Sequence, residues 1–133
     1  MNARLGFIFP NGSIIYNNSG VYFQSSTLVP IQVPNSCDLT TLKTRIHITL
    51  NLTHEQFLDE IHYRQLVTET SNYFRFQCMQ LKNDDDVNTM LVCNDQFSCV
   101  GPIELLCTVG RTPDEILNLL ECTMTPTHDA LLY

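Results

Sequence analysis

Three consecutive aspartates form the densest charge in this sequence. Asp84, Asp85 and Asp86 lie between Asn83 and Val87. Three adjacent carboxylates raise the local negative potential, which steers association with Lys or Arg side chains of a partner. The same residues suit the start of a helix, because unpaired backbone N–H groups there favour negative charge. A docking site and a solvated helix start are both consistent with the pattern.

Neither the aspartate run nor the cysteines have the spacing of a metal site. A calcium loop needs spaced oxygen ligands, a central Gly and a distant Glu, and these do not follow Asp84. Cys93, Cys99 and Cys107 are separated by six and eight residues, which matches no common zinc motif. We therefore predict no metal site and no cofactor.

The 6 cysteines and 4 histidines leave a cysteine-dependent enzyme formally open, since a nucleophilic thiol needs a base beside it in space. However, the sequence has no CxxC pair, GxSxG elbow, HExxH helix or Gly-rich phosphate loop. Several cysteines alternate with polar residues, as buried thiols of strands do. We predict a protein that is not an enzyme, with a cysteine-dependent enzyme as one alternative.

The composition of the chain limits the classes of partner that it can bind. The chain has 133 residues, a formal net charge of -7 and 44% hydrophobic residues, which suffices for one domain with its own core. The acidic balance disfavours direct nucleic-acid binding and favours a protein partner with a basic face. No apolar stretch has the length of a signal peptide or a membrane span. We expect an intracellular protein, cytoplasmic or nuclear, with no membrane partner.

The N-terminal third has the alternation of strands. Residues 5–9 and 14–16 flank the turn residues 10–13, which predicts a β-hairpin. A third strand is expected over 27–33, at an edge of the sheet because Pro30 cannot donate a backbone hydrogen bond.

Helical spacing follows. Apolar residues recur every three or four positions from 39 to 50, and Ser36 or Asp38 can cap this main helix. Two strands are predicted over 60–64 and 73–81. A short helix of about two turns then begins at the aspartates.

The C-terminal part predicts a last strand over 103–109, ended by Gly110. Thr112 can cap a further helix that reaches residue 122 and has Pro113 at its first position. We expect one domain over 1–122 and a loosely ordered tail over 123–133. Apolar residues of this helix can pack on the chain's own sheet, or form a C2 homodimer through Ile116, Leu117 and Leu120.

The order of these elements predicts an α+β protein with a ubiquitin-like β-grasp fold, in which a mixed sheet packs on one main helix. The short helix and the C-terminal helix are additions to it. A ferredoxin-like sandwich is the alternative, but that fold needs two comparable helices.

Four short segments, taken in order, resemble the N-terminal domain of plant Mutator-like transposases, which is similar to the Phox-Bem interaction domain. They are residues 8–14 (IFPNGSI), 61–64 (IHYR), 81–87 (LKNDDDV, followed by Met90) and 103–105 (IEL). The resemblance spans roughly residues 4–109.

This resemblance implies a ubiquitin-like fold and head-to-tail pairing, in which the acidic loop of one domain meets a basic first-strand face of another. The acidic half corresponds to residues 84–86, but the first strand offers only Arg4. We therefore expect one-sided binding to a basic face, which a related domain could supply. Arg64 could belong to a recognition surface or be a solvated strand residue.

The transposases resembled also carry a zinc knuckle and a catalytic domain, which this sequence does not show. A truncated or domesticated relative that acts as an adaptor or regulator is the expectation. The alternative from another class is a transposon-derived protein associated with nucleic acid or with transcription.

Overall fold

The computed structural model of the chain describes residues 3–70, 73–97 and 101–113. These residues form one mixed sheet and two helices. In chain order the elements are β1 (Ala3–Pro10), β2 (Ser13–Asn17), β3 (Gly20–Gln24), β4 (Val29–Pro34), α1 (Leu39–Thr49), β5 (Gln56–Thr70), β6 (Tyr73–Gln80), α2 (Asp84–Gln96) and β7 (Ile103–Arg111). The α+β class predicted from the sequence is confirmed.

The sheet is built around its first and last strands. The strand order is β2-β3-β6-β5-β7-β1-β4. β1 lies between β7, to which it is parallel, and β4, to which it is antiparallel. β5 pairs antiparallel with both β7 and β6. β3 meets β6 in parallel at a single pair, Gly20 with Phe76.

Both helices pack on one face of this sheet, which we call the front face. Leu42 and Ile46 of α1 and Val87 and Met90 of α2 are fully buried there. The sheet contributes alternate residues to the same core, namely Ile8, Ile31, Val33, Ile61, Tyr63, Ile103, Leu105 and Cys107. Burying a large aliphatic side chain stabilises a fold by about 1.5–3 kcal/mol. The front face therefore supplies most of the apolar stabilisation.

The hairpin of β2 and β3 lies across the opposite, reverse face. Its Val21 and Phe23 are buried together with Leu106, although none of the three belongs to the front core. Phe23 meets Phe9 of β1 edge to face, with ring centroids 5.7 Å apart. Since β1 lies three strands away from β6 in the sheet, the hairpin must fold back over the reverse face to make this contact.

The predicted hairpin between β1 and β2 is wrong. β2 pairs with β3, a strand that the sequence analysis missed. At the turn, Asn11 has a φ of 48°, and its backbone N–H donates to the Cys107 carbonyl at 2.8 Å. Its side chain accepts a hydrogen bond from Val109 N at 2.9 Å. The turn residue is therefore held by β7, and the chain leaves β1 instead of reversing along it.

The expectation of one main helix and a short second one is also wrong. α2 has 13 residues and α1 has 11. Leu91 and Cys93 are buried as well as Val87 and Met90, so the apolar face of α2 continues past its first two turns. The spacing of Val87, Met90 and Leu91 marks only the first turns of this helix, whose contact with the core continues to Cys93.

Other predictions agree in place and differ in extent. α1 begins after Asp38, as predicted, and β4 is an edge strand that contains Pro30. β5 is longer at both ends than expected, and β7 continues past Gly110. The C-terminal helix and the tail lie outside the described residues beyond Pro113. Among the residues that the structure describes, no helix has both the length and the apolarity needed to cross a membrane.

Two glycines provide a matched test of the hairpin attachment. Gly20 and Gly101 have φ values of +111° and +118°. An added Cβ at Gly20 would overlap the backbone of Phe76, whereas at Gly101 it meets nothing within 4 Å. We expect Gly101→Ala to cost about 1 kcal/mol of unfolding free energy through strain alone. Gly20→Ala should cost about 3 kcal/mol, because overpacking adds to the strain. Urea unfolding measures both, and equal losses would contradict the attachment.

Candidate functional site

The N-termini of the two helices meet at one end of the front face. Asp38 caps α1, and its carboxylate accepts a hydrogen bond from Thr41 N at 2.7 Å. Asp84, in the first turn of α2, accepts one from Leu39 N, the first residue of α1, at 2.9 Å. One carboxylate of α2 therefore satisfies a free amide of α1, which fixes the two helix starts to each other.

The other two aspartates of the run have different surroundings. Asp86 accepts a hydrogen bond from Lys82 N at 2.8 Å, and its own amide donates to the side chain of the capping residue Asn83 at 2.8 Å. Asp86 thus ties the cap of α2 and the residue before it to the first turn of the helix. The carboxylate of Asp85 is exposed and has no hydrogen bond or ion pair with any described residue. Asp85 is thus the member of the run whose carboxylate has no hydrogen-bond partner within this part of the chain.

We call Asp38, Asp84, Asp85 and Asp86 together the acidic surface. Asp38 was recognised from the sequence only as a cap, because 46 residues separate it from Asp84. Asp38 becomes part of the acidic surface only when the two helices pack side by side. The available sequence signal was that both helices have acidic residues at their starts, as the cap of α1 and in the first turn of α2. Helix starts that pack together bring such residues close.

The hydrogen bonds from Thr41 hold the pKa of Asp38 below its ordinary value of 3.8. The charged form is therefore favoured in the folded state. The resulting stabilisation is complete well above the ordinary pKa, and it is lost as the pH falls through the lower, folded pKa.

The direction of this pKa shift can be tested at the N-cap of α1. Asp38→Asn keeps a good N-cap residue and removes the titrating group. We expect the variant to lose less of its thermal stability than the wild type when the pH is lowered from about 6 to about 2. Asp59→Asn, at an exposed strand carboxylate, is the control. An identical acid response of wild type and Asp38→Asn would show that the cap contributes nothing.

Arg64 lies on the reverse face of β5, opposite Ile61 and Tyr63, on the side that the sequence predicted. Its side chain is only 18% exposed. The guanidinium donates to the Val21 carbonyl at 2.7 Å and to Glu104 at 3.2 Å, and it lies 3.6 Å from the centre of the Phe76 ring. Arg64 therefore connects the hairpin to β5, β6 and β7. None of these contacts involves a residue of the acidic run.

The planar guanidinium makes these contacts in a way that an ammonium cannot. We expect Arg64→Lys to lower the unfolding free energy by about 2 kcal/mol, through a lost charged hydrogen bond and the lost ring contact. Glu104→Gln removes only the ion pair and should cost about 0.5–1 kcal/mol. Urea unfolding measures both variants. An Arg64→Lys variant as stable as the wild type would mean that the guanidinium does not help to hold the hairpin.

Arg4, the one basic residue of β1, is also engaged within the chain. It pairs with Asp95 of α2 at 2.6 Å, and its side chain is 15% exposed. A second nitrogen donates to the Asn35 carbonyl at 3.4 Å. The first strand thus offers a partner a cation that is already neutralised.

Burial favours the thiol form of three of the described cysteines. Burial raises the pKa of Cys107 to about 12 and raises those of Cys37 and Cys78. All three thiols are therefore poor nucleophiles. Cys93 is buried and lies 3.7 Å from the Leu66 carbonyl. Cys37, Cys78, Cys93 and Cys107 are free, and the described residues contain no cluster of His, Cys, Asp and Glu that could hold a metal ion.

Three predicted residues of the dimer helix, Ile116, Leu117 and Leu120, lie outside the described residues, as do Cys99 and Cys122. The dimer hypothesis therefore stays a prediction.

Comparison with known proteins identifies no relative: no family model, no curated protein and no solved structure matches this chain.

Proposed function

We propose that the chain is a non-catalytic interaction module with a ubiquitin-like β-grasp fold. Support comes from five neighbouring strands in the order β4-β1-β7-β5-β6. Within this set β1 and β7, the first and last strands of the described chain, are adjacent and parallel. α1 follows β4 and covers the front face, as the principal helix of a β-grasp does. The hairpin of β2 and β3 is then an insertion between the first two strands of that fold.

The module binds a basic face of another protein through the acidic surface. The convergence of Asp38 with the aspartate run carries this proposal, because it assembles four carboxylates from two separate segments. Closely spaced like charges raise the local field and accelerate encounter with a basic partner. Asp85, which is exposed and has no partner among the described residues, is the residue best placed to make a direct contact.

The binding is one-sided. Head-to-tail pairing would require a free basic face as well, yet Arg4 is paired with Asp95 and Arg64 is largely covered by the hairpin. A module with one free charged surface acts as an adaptor or regulator, and a related domain that retains a basic first strand fits as its partner. The resemblance to plant Mutator-like transposases motivates that choice.

The test neutralises charge without removing hydrogen-bond acceptors. Asp→Asn exchange at all four positions keeps an oxygen that can accept from Leu39, Thr41 and the amide of Lys82. Proteins captured from extract by the wild type and by this variant are compared at low and high salt. We expect a partner with a basic face whose affinity falls about tenfold in the variant, since each exposed charge contributes about 0.2–1 kcal/mol.

Asp85→Asn alone and Asp59→Asn form a matched pair of single changes, because both remove one exposed carboxylate. Only the first should weaken capture. High salt should abolish the difference between wild type and variants, because the Debye length falls to about 3 Å at 1 M. A set of captured proteins that is the same for all variants at low salt would remove the proposal.

A further inference from the structure

The two end strands of the sheet differ in how well their outer edges are protected. β2 and β4 stand at the ends of the strand order, and among the described residues each has a neighbouring strand on one side only. The outward N–H and C=O groups of an end strand can pair with a further strand. Proteins usually prevent such pairing with proline, charged side chains or a bulge.

The outer edge of β4 is blocked by proline. Pro30 and Pro34 both lie in this strand and lack a backbone N–H. Proline in a paired strand occupies positions whose N–H would face away from the neighbouring strand. Residues 30, 32 and 34 therefore share the outer edge of β4, and Gln32 alone can donate there. A strand added at this edge would lose two of three donated hydrogen bonds.

The outer edge of β2 has none of these protections. The strand spans Ser13–Asn17 (SIIYN) and contains no Pro, no Gly and no charged residue. It pairs with β3 over its whole length in continuous register. Tyr16 is 75% exposed even though it lies opposite the buried Val21 of β3. A regular strand of β-branched and aromatic residues with an open edge is a template for another strand.

The absence of charge indicates which strand this edge accepts. Residues 5–37 contain no charged side chain, so the hairpin gives no electrostatic attraction to an acidic or a basic peptide. Two copies of a chain with a net charge of -7 repel each other least where neither surface is charged. Identical strands that pair antiparallel also avoid opposing like charges when they have none. A second copy of this chain is therefore the partner that the edge fits.

A twofold axis at Ile15 brings two such strands into full register. Ile15 then lies opposite its own counterpart, and Ile14 of each copy lies opposite Tyr16 of the other. Pairs of an aromatic and a β-branched side chain stabilise antiparallel strands. Because the same edge is used by both copies, the contact closes with two copies and does not extend into a fibre.

We propose that the chain forms a C2 homodimer in which the β2 strands of two copies pair antiparallel about Ile15 and join the two sheets. This contact uses no residue of the acidic surface and does not rest on the proposed function. Where the acidic surface also binds, the dimer presents it twice, which strengthens binding to a partner with repeated basic faces.

The symmetry at Ile15 allows a charge-exchange test in the full chain. The wild type should sediment as a dimer in analytical ultracentrifugation. Ile15→Lys and Ile15→Glu should each raise the dissociation constant about tenfold, because repulsion adds to the loss of an apolar contact. An equal mixture of the two variants brings opposite charges together and should dimerise about as tightly as the wild type. Mixing cannot repair a folding defect, so this recovery is specific to the contact.

Tyr22→Lys is the matched control. Tyr22 is the register partner of Ile15 on β3 and is 36% exposed, one strand inward from the edge. In the dimer its two copies lie three strand spacings apart, about 14 Å, which exceeds the Debye length of about 8 Å at physiological salt. The control should therefore dimerise like the wild type.

Three results would overturn the proposal. The first is a wild type that stays monomeric at high concentration. The second is a dimer that Ile15→Lys weakens no more than Tyr22→Lys does, which would place the contact elsewhere in the chain. The third is a mixture of Ile15→Lys and Ile15→Glu that dimerises no better than either variant alone.

Discussion

The parallel pairing of β1 with β7 is the interaction on which the remaining structure depends. Ile8 and Leu105 pair in register at its centre, and both are fully buried. β4 attaches to one side of this pair and β5 to the other, while the helices cover its front face. Because the two strands come from opposite ends of the described chain, their pairing closes a long loop and orders everything between them.

The position of the acidic surface follows from this arrangement. Each helix enters the front face after a strand, α1 after β4 and α2 after β6. The hydrogen bond from Leu39 N to Asp84 shows that the two helices begin near each other, and their free N–H groups and positive dipole ends face the same region. Carboxylates satisfy those amides, so negative charge accumulates there for structural reasons. Asp84 has both roles: its carboxylate accepts a hydrogen bond from the first residue of α1, and it belongs to the acidic surface.

Sequence reasoning succeeded where the information is local. The spacing of Leu42 and Ile46, the cap at Asp38 and the edge position implied by Pro30 are all read within a few residues. It failed where partners are distant. The turn at Asn11 has the composition of a hairpin turn, but its side chain is bound by Val109, 98 residues away, and no local pattern records that contact.

The same limit applies to the candidate site and to Arg64. The aspartate run was visible in the sequence, whereas its union with Asp38 depends on helix packing. Arg64 was correctly placed opposite the core residues of β5, yet its hydrogen bond to the Val21 carbonyl requires the hairpin, whose second strand was missed. A residue assessed as solvent-facing on one strand is covered once another element lies across that face.

Charged side chains are distributed unevenly over the described residues. Residues 5–37 contain no charged side chain, so the hairpin and β4 form a neutral region. Two of the arginines, Arg4 and Arg64, are paired with Asp95 and Glu104 and contribute little to the outer field. Four of the acidic side chains that make up the net charge of -7 lie within residues 114–133, outside the described residues, and the described residues carry the remaining -3. Among the described residues, the charged side chains therefore lie outside the hairpin and β4.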